Sequence, residues 1–280
     1  MHVWLGGPCG QTDVRLMRTQ ERSSDVDTLC TLPPRRRSRG DASRADGVEQ
    51  RDAIEVVATR LAVGLDAVRA STVLLSDAER QRATRFAFAR DRRHFIVARA
   101  RLRQLLARRL GVRPEAVELV YGARGKPALA PRFADLGVSF NVSHCGEVAV
   151  YALAYGRAVG IDVEAVRVLP DGDQLAARFF APRERAVYRA LPARDKPVGF
   201  FNCWTRKEAV IKALGDGLAY PLDRFEVSLA PGEPARILRI ENRRGEDTGW
   251  SLASFRPAPG YVGAIASRPL DRGPRGFAPP

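Results

Sequence analysis

Residues 138–165 read VSFNVSHCGEVAVYALAYGRAVGIDVEA, and no other stretch restricts the fold as tightly. Three runs rich in β-branched and aromatic residues are separated only by tight turns at Cys145–Glu147 and Tyr155–Arg157. That spacing predicts three consecutive strands. Before them, AIEVVATRL from Ala53 reads as a strand, and Ser76 followed by Glu79 reads as a capping box that opens a helix. From Arg92 to Leu110 the positions Phe95, Ala98, Leu102, Leu105, Leu106 and Leu110 recur at helical spacing until Gly111, with arginines on the other faces. AVELVYG is a further short strand and ARGKPAL a turn.

The second half has the same style. Gln174–Ala190 and Phe200–Leu214 read as helices, and RFEVSL, ARILRIE, WSLASF and YVGAIA as strands. Helices and strands occur in similar proportion on both sides of residue 157, which argues for two related α+β subdomains, 53–157 and 158–268, rather than an alternating βαβ sheet. Residues 1–52 show no sustained period and are expected to be a disordered extension or a mis-assigned start. The Pro, Gly and Arg-rich tail, 269–280, is expected to be loose.

No apolar run reaches the length a membrane helix needs, and the N-terminus lacks a secretory signal, so a cytosolic protein is expected. The four cysteines (9, 30, 145, 203) form no C-x-x-C pair, which argues against a zinc site or a disulfide scaffold. Basic residues dominate, at net charge +14. They concentrate in residues 79–113, where twelve arginines stand against Glu79 and Asp91. Such a surface favours an anionic partner, and charge alone does not choose among nucleic acid, membrane, polyphosphate ligand and acidic protein.

Lysine is scarce: four (126, 196, 207, 212) among 46 basic residues, two of them in WTRKEAVIK at 204–212. A lysine kept in an arginine-rich chain marks a place where a compact, movable ammonium is wanted. Within that helix Trp204, Glu208 and Lys212 share one stripe. In VGIDVE, Asp162 and Glu164 stand two apart on a strand and therefore face the same side. Paired carboxylates suit a hard divalent cation, magnesium or manganese, although a solvated strand end accounts for them as well. Glu208 adds a third carboxylate. Lys126, in GKPALAP, has no Walker spacing, since Val120 replaces the first glycine and Pro127 follows the lysine; a nucleotide contact and a solvated turn both remain open. Ser143 and His144, as sequence neighbours, point apart and are not a catalytic pair. They could instead meet phosphate oxygens, or His144 could be a structural strand-end residue.

Taken together, GKP at 125–127, FNVSH at 140–144, GIDVE at 160–164, WTRKEAVIK at 204–212 and the arginine-rich segment ERQRATRF resemble the 4′-phosphopantetheinyl transferases of the surfactin-synthetase-activating type, over about residues 55–268. The resemblance implies a pseudo-twofold pair of α+β subdomains with coenzyme A in the cleft between them. It implies transfer of the phosphopantetheine arm to a serine of an apo acyl or peptidyl carrier protein, releasing 3′,5′-adenosine bisphosphate. By this match Asp162, Glu164 and Glu208 hold magnesium or manganese, and Glu208 and Lys212 are catalytic. Lys207 and Lys212 lie near the diphosphate; Lys126, Pro127, Ser143 and His144 hold the nucleotide and its phosphates; Arg80 and Arg82 meet the 3′-phosphate. The family type also implies a monomer, with no nucleic-acid or membrane partner. The pattern departs at Cys145, where a serine is common, and at Glu79, often basic. Two rival readings fare worse: a metal-dependent nuclease commonly has a lysine two residues after a strand carboxylate, where Val166 stands here, and a nucleic-acid-binding protein using the 79–113 helix leaves the three carboxylates idle.

Overall fold

The structure, a computed structural model, describes residues 15–18, 28–32, 54–122, 125–215, 220–240, 243–244 and 249–269. Its first half is built on an antiparallel sheet. Strands β1 (Arg15–Arg18), β2 (Thr28–Leu32), β3 (Ile54–Arg60), β6 (Val138–Cys145) and β7 (Val148–Tyr155) lie in the order β1-β2-β3-β7-β6. Two strands lie within the segment 1–52. Thr28–Leu32 pairs residue by residue with β3, and Arg15–Arg18 with Thr28–Leu32. Pairing supplies backbone hydrogen bonds to the open edge of β3, a gain that side-chain periodicity does not register. The rest of 1–52, and the tail beyond Pro269, lie outside the described residues.

Helices α1 (Leu65–Val73), α2 (Asp77–Thr84) and α3 (Ala89–Leu110) cover one face of this sheet. Ser76 caps α2 with Glu79 in a reciprocal capping box, and Gly111 ends α3 at a left-handed φ of 66°. Helix α1 is new relative to the sequence reading: its N-cap, Gly64, offers no side-chain acceptor, so no start signal marks it. The short hairpin of β4 (Leu119–Tyr121) and β5 (Pro127–Leu129) follows.

The second half pairs β8 (Arg157–Ala165) with β13 (Tyr261–Pro269), and β13 with β12 (Ser251–Phe255), all antiparallel. Helices α4 (Gly172–Phe179), α5 (Pro182–Ala190) and α6 (Lys196–Leu214) pack on it. The single helix expected over 174–190 is two helices, because Phe180 is extended (φ −91°, ψ 146°) and Pro182 begins a new N-terminus. Strands β9 (Glu226–Val227), β10 (Ile237–Ile240) and β11 (Arg243–Arg244) form a small separate sheet.

The two large sheets meet face to face. Val56, Ala58, Val148, Val150 and Ala152 of the first pack against Val159, Ile161, Val163, Ala253, Phe255 and Ile265 of the second. Val57, Ala149, Tyr151 and Leu153 point the other way, into α3. The molecule is thus α+β in four layers, helix, sheet, sheet, helix, with α3 and α6 on the outside of each sheet.

Candidate functional site

Alternation along β8 decides where its acids go. Since Val159, Ile161 and Val163 enter the core between the sheets, Gly160, Asp162 and Glu164 face α6. Gly160 permits close approach: a Cβ there would stand 2.1 Å from the Ala209 carbonyl oxygen and 2.3 Å from the Ala213 nitrogen. The helix backbone therefore rests directly on the strand. Along α6, the half-buried positions include Trp204, Glu208 and Lys212, while Thr205, Lys207, Ala209, Val210 and Ile211 are buried.

Lys212 Nζ lies 2.6 Å from Asp162 Oδ1 and 3.1 Å from Ser143 Oγ. Ser143 Oγ in turn donates to the same Asp162 oxygen at 2.8 Å. Three elements, β6, β8 and α6, are tied at one carboxylate. Glu208 has its pKa raised, first by burial and then by the negative charge of Asp162, with Lys212 opposing and Glu164 adding to the rise. Glu164 accepts from Cys145 Sγ at 3.3 Å and pairs with Arg167 at 3.6 Å.

A carboxylate whose proton affinity is raised by two neighbouring carboxylates is an arrangement that a hard cation relieves. A second observation agrees. Asp162 Oδ2 is buried and has no hydrogen-bond partner, an acceptor with its lone pairs unused. The donor set and this orphaned oxygen fit a divalent ion. Among the described residues no three His, Cys, Asp or Glu side chains are already gathered closely enough to hold a metal ion, and Lys212 holds the other Asp162 oxygen.

The remaining cations extend away from this centre. Lys126 Nζ donates to the Lys212 carbonyl at 2.6 Å, at the C-terminal end of α6 where unpaired carbonyls favour a cation. Its pKa is lowered by burial and by Lys212. Pro127 pairs with Tyr121 across the β4–β5 hairpin. Tyr121 and Phe95 receive the guanidinium groups of Arg82 and Arg99, at 5.5–5.8 Å from the ring centroids. Arg82 also borders an open depression of about 580 Å³ with Ala78, Gln81, Arg85 and Phe86. His144 is solvent-accessible yet has protein close around its ring; partial desolvation, then Lys212 and His94, lower its pKa.

Two expected members stand elsewhere. Lys207 is fully buried (0 % exposed), 2.8 Å from Glu184 Oε2, and donates to the carbonyls of Leu222 and Phe225 at 2.7 Å each. Its three donors meet three acceptors in the core of the second half, so it does not reach a diphosphate. The sequence signal, a lysine retained among arginines, is real, but the compact ammonium serves a buried socket here. Arg80, two residues from Arg82 and hence on another face of α2, bonds the Leu75 carbonyl and Asp77 and borders a depression with Arg69, Thr72 and Val73. Of Arg80 and Arg82, Arg82 is the one that joins the aromatic cluster. Glu79 is buried in its capping box and pairs with Arg103 at 2.6 Å and Arg99 at 3.6 Å, so these two arginines are internal rather than on an exposed stripe. Gly160 and Glu184 escaped the sequence reading. A glycine inside a strand is a signal of close backbone approach that could have found the first.

Three carboxylates with lysine, serine and histidine nearby, where the two α+β halves meet, are a set of groups suited to a phosphate ester or anhydride. Residues 158–266 match the profile of the 4′-phosphopantetheinyl transferase superfamily, and residues 66–155 that of the 4′-phosphopantetheinyl transferase N-terminal domain. The chain is 43 % identical over 192 residues to the 4′-phosphopantetheinyl transferase HetI of Nostoc sp., covering 69 % of this chain and 78 % of that protein. It is 29 % identical over 206 residues to the human L-aminoadipate-semialdehyde dehydrogenase-phosphopantetheinyl transferase, covering 69 % and 67 %. It is 31 % identical over 155 residues to the 4′-phosphopantetheinyl transferase of Bacillus subtilis, covering 55 % and 66 %. The chain belongs to the 4′-phosphopantetheinyl transferase superfamily. It is an enzyme that transfers phosphopantetheine to carrier proteins, with coenzyme A as donor. Among the described residues no helix is long and apolar enough to cross a membrane.

Proposed function

We propose that the Asp162, Glu164, Glu208 and Lys212 cluster carries out the transfer from coenzyme A to a serine hydroxyl of an apo acyl or peptidyl carrier protein. The observation that carries this reading is the convergence of Ser143, Asp162 and Lys212 at one oxygen while the other Asp162 oxygen stays buried and unpaired. Asp162, Glu164 and Glu208 would hold magnesium, or manganese. When bound, such an ion supplies positive charge to a diphosphate.

In the reaction, the serine oxygen forms a bond to the phosphorus on the pantetheine side, and the bridging P–O bond of the diphosphate breaks. Glu208 takes the serine proton, directly or through one water. Its raised pKa suits that role, because a base works best when its pKa approaches the working pH. Lys212 stabilises or protonates the departing phosphate of 3′,5′-adenosine bisphosphate. Lys126, Pro127, Ser143 and His144 line the nucleotide and diphosphate path, and Arg82 with its aromatic neighbours takes the 3′-phosphate end. Basic surface elsewhere favours docking of an acidic carrier. The chain works as a cytosolic monomer, since its two halves already provide both walls of the site.

The test is the intact mass of an apo carrier after incubation with the enzyme, coenzyme A and magnesium. A gain of one phosphopantetheine, abolished by chelator and by Glu208→Gln, is expected. Full transfer by Glu208→Gln would remove that carboxylate from the mechanism.

A further inference from the structure

Asp162 is the most heavily subscribed group in the cleft, and its two oxygens are treated differently. Oδ1 receives Lys212 Nζ at 2.6 Å and Ser143 Oγ at 2.8 Å. Oδ2 is buried and receives nothing. Lys212 is itself held by its backbone: Lys126 bonds its carbonyl, and the preceding turn of α6 rests on Gly160. Its four-carbon stem is the only free part, and its side chain is 27 % exposed, against 7 % for Asp162. The arrangement is a fixed anion facing a cation on a flexible tether.

We infer that Lys212 is the resident counter-ion of Asp162 in the substrate-free enzyme, and that a divalent ion and Lys212 compete for this carboxylate. This rests on the reading of Asp162 as a metal ligand. The physical reason is charge. An ammonium close to a buried carboxylate cancels most of the field that would attract a second cation, and like charges a few ångströms apart repel strongly away from bulk water. A divalent ion on Asp162 therefore drives the ammonium off. The stem is long enough to swing the charge outward, and the Lys126 bond keeps the α6 terminus in place while it does so. Ser143 Oγ, released from sharing its acceptor, becomes available as well. Cation binding and presentation of Lys212 to the diphosphate are thereby one event: the lysine is held back while Asp162 carries no other cation.

Two measurements test this without following turnover, both with Mn2+ as the probe. The first titrates the wild type and Lys212→Met by electron paramagnetic resonance of free Mn2+. The variant keeps the stem and removes the charge, and is expected to bind Mn2+ roughly tenfold more tightly or better. The second uses the wild type alone, so it does not depend on the variant folding. Brief acetylation followed by peptide mass analysis reads four lysines, with Lys196, about as exposed as Lys212 and also ion-paired, as the reference remote from the ion, and buried Lys207 as the inert one. Lys212 is expected to be protected in the metal-free protein and to become several-fold more reactive at saturating Mn2+. Mn2+ binding of equal strength in both proteins, with Lys212 labelling unchanged by the ion, overturns the inference and leaves the metal site standing. Absence of Mn2+ binding from both proteins overturns the metal assignment and the inference with it.

Discussion

Lys207 and Glu208 are neighbours in sequence with opposite fates, because one helical step turns a side chain by about 100°. Glu208 faces the charges of Asp162, Glu164 and Lys212, and Lys207 enters the core, where it meets Glu184 at 2.8 Å. Removing one partner of a buried pair strands the other charge, at a cost of roughly 3–5 kcal/mol. Lys207→Met should lose about that much in urea unfolding. Glu184→Gln combined with Lys207→Met should lose clearly less than the sum of the single losses, since the amide still accepts a bond and no charge remains buried. Strictly additive losses would show that the pair is not coupled. His144 makes a pH-dependent prediction. Its pKa is lowered below the ordinary 6.5, so the unfolded chain takes up a proton that the folded site resists. Stability from this residue is complete above about pH 6.5 and declines as pH falls below it. His144→Gln should flatten the dependence of Tm on pH in that window and leave Tm near pH 8 almost unchanged. An unaltered slope would mean that the imidazole titrates normally.

At the scale of elements, the contact between β8 and α6 sets the geometry of the proposed site, and Gly160 sets the contact. A methyl group at this position would overlap the backbone of Ala209, Lys212 and Ala213, none of which can turn aside as a side chain could. Gly160→Ala should push α6 outward, cost at least about 1–3 kcal/mol as an overpacking change, and reduce kcat far more than it raises the KM for coenzyme A. Wild-type turnover in this variant would show that the helix can shift without displacing Glu208 and Lys212. Much of this scale was legible beforehand. Period-two alternation in GIDVE put both acids on one side, and the 204, 208, 212 stripe put its polar groups on one face. What stayed hidden depended on partners far along the chain: Lys207 finds Glu184 and the Leu222 and Phe225 carbonyls, and β2 finds the edge of β3. Local periodicity contains no record of such pairings. The break at Phe180–Pro182 was readable from the proline, and helical spacing on both sides obscured it.

For the whole molecule, the sheet-to-sheet core makes the two halves one cooperative unit. Strand β7 runs as VAVYALAY with seven of its eight residues buried, which is the pattern of a strand covered on both faces. One face meets α3 and the other meets the second sheet, so neither half has a solvent-tolerant back. Cutting the chain near residue 157 would expose Val159, Ile161, Val163, Phe255 and Ile265 together, a contiguous apolar surface of a kind that monomeric proteins rarely present. It would also remove Ser143 from Asp162 and Lys126 from the end of α6, so the site would lose two of its anchors even if the fold survived. A fragment of residues 158–280 should therefore unfold without a sharp transition, bind a hydrophobic dye, and self-associate. A monomeric fragment with a cooperative transition would show instead that the sheet interface joins two independent domains. The cleft would then have to be regarded as assembled after folding rather than during it.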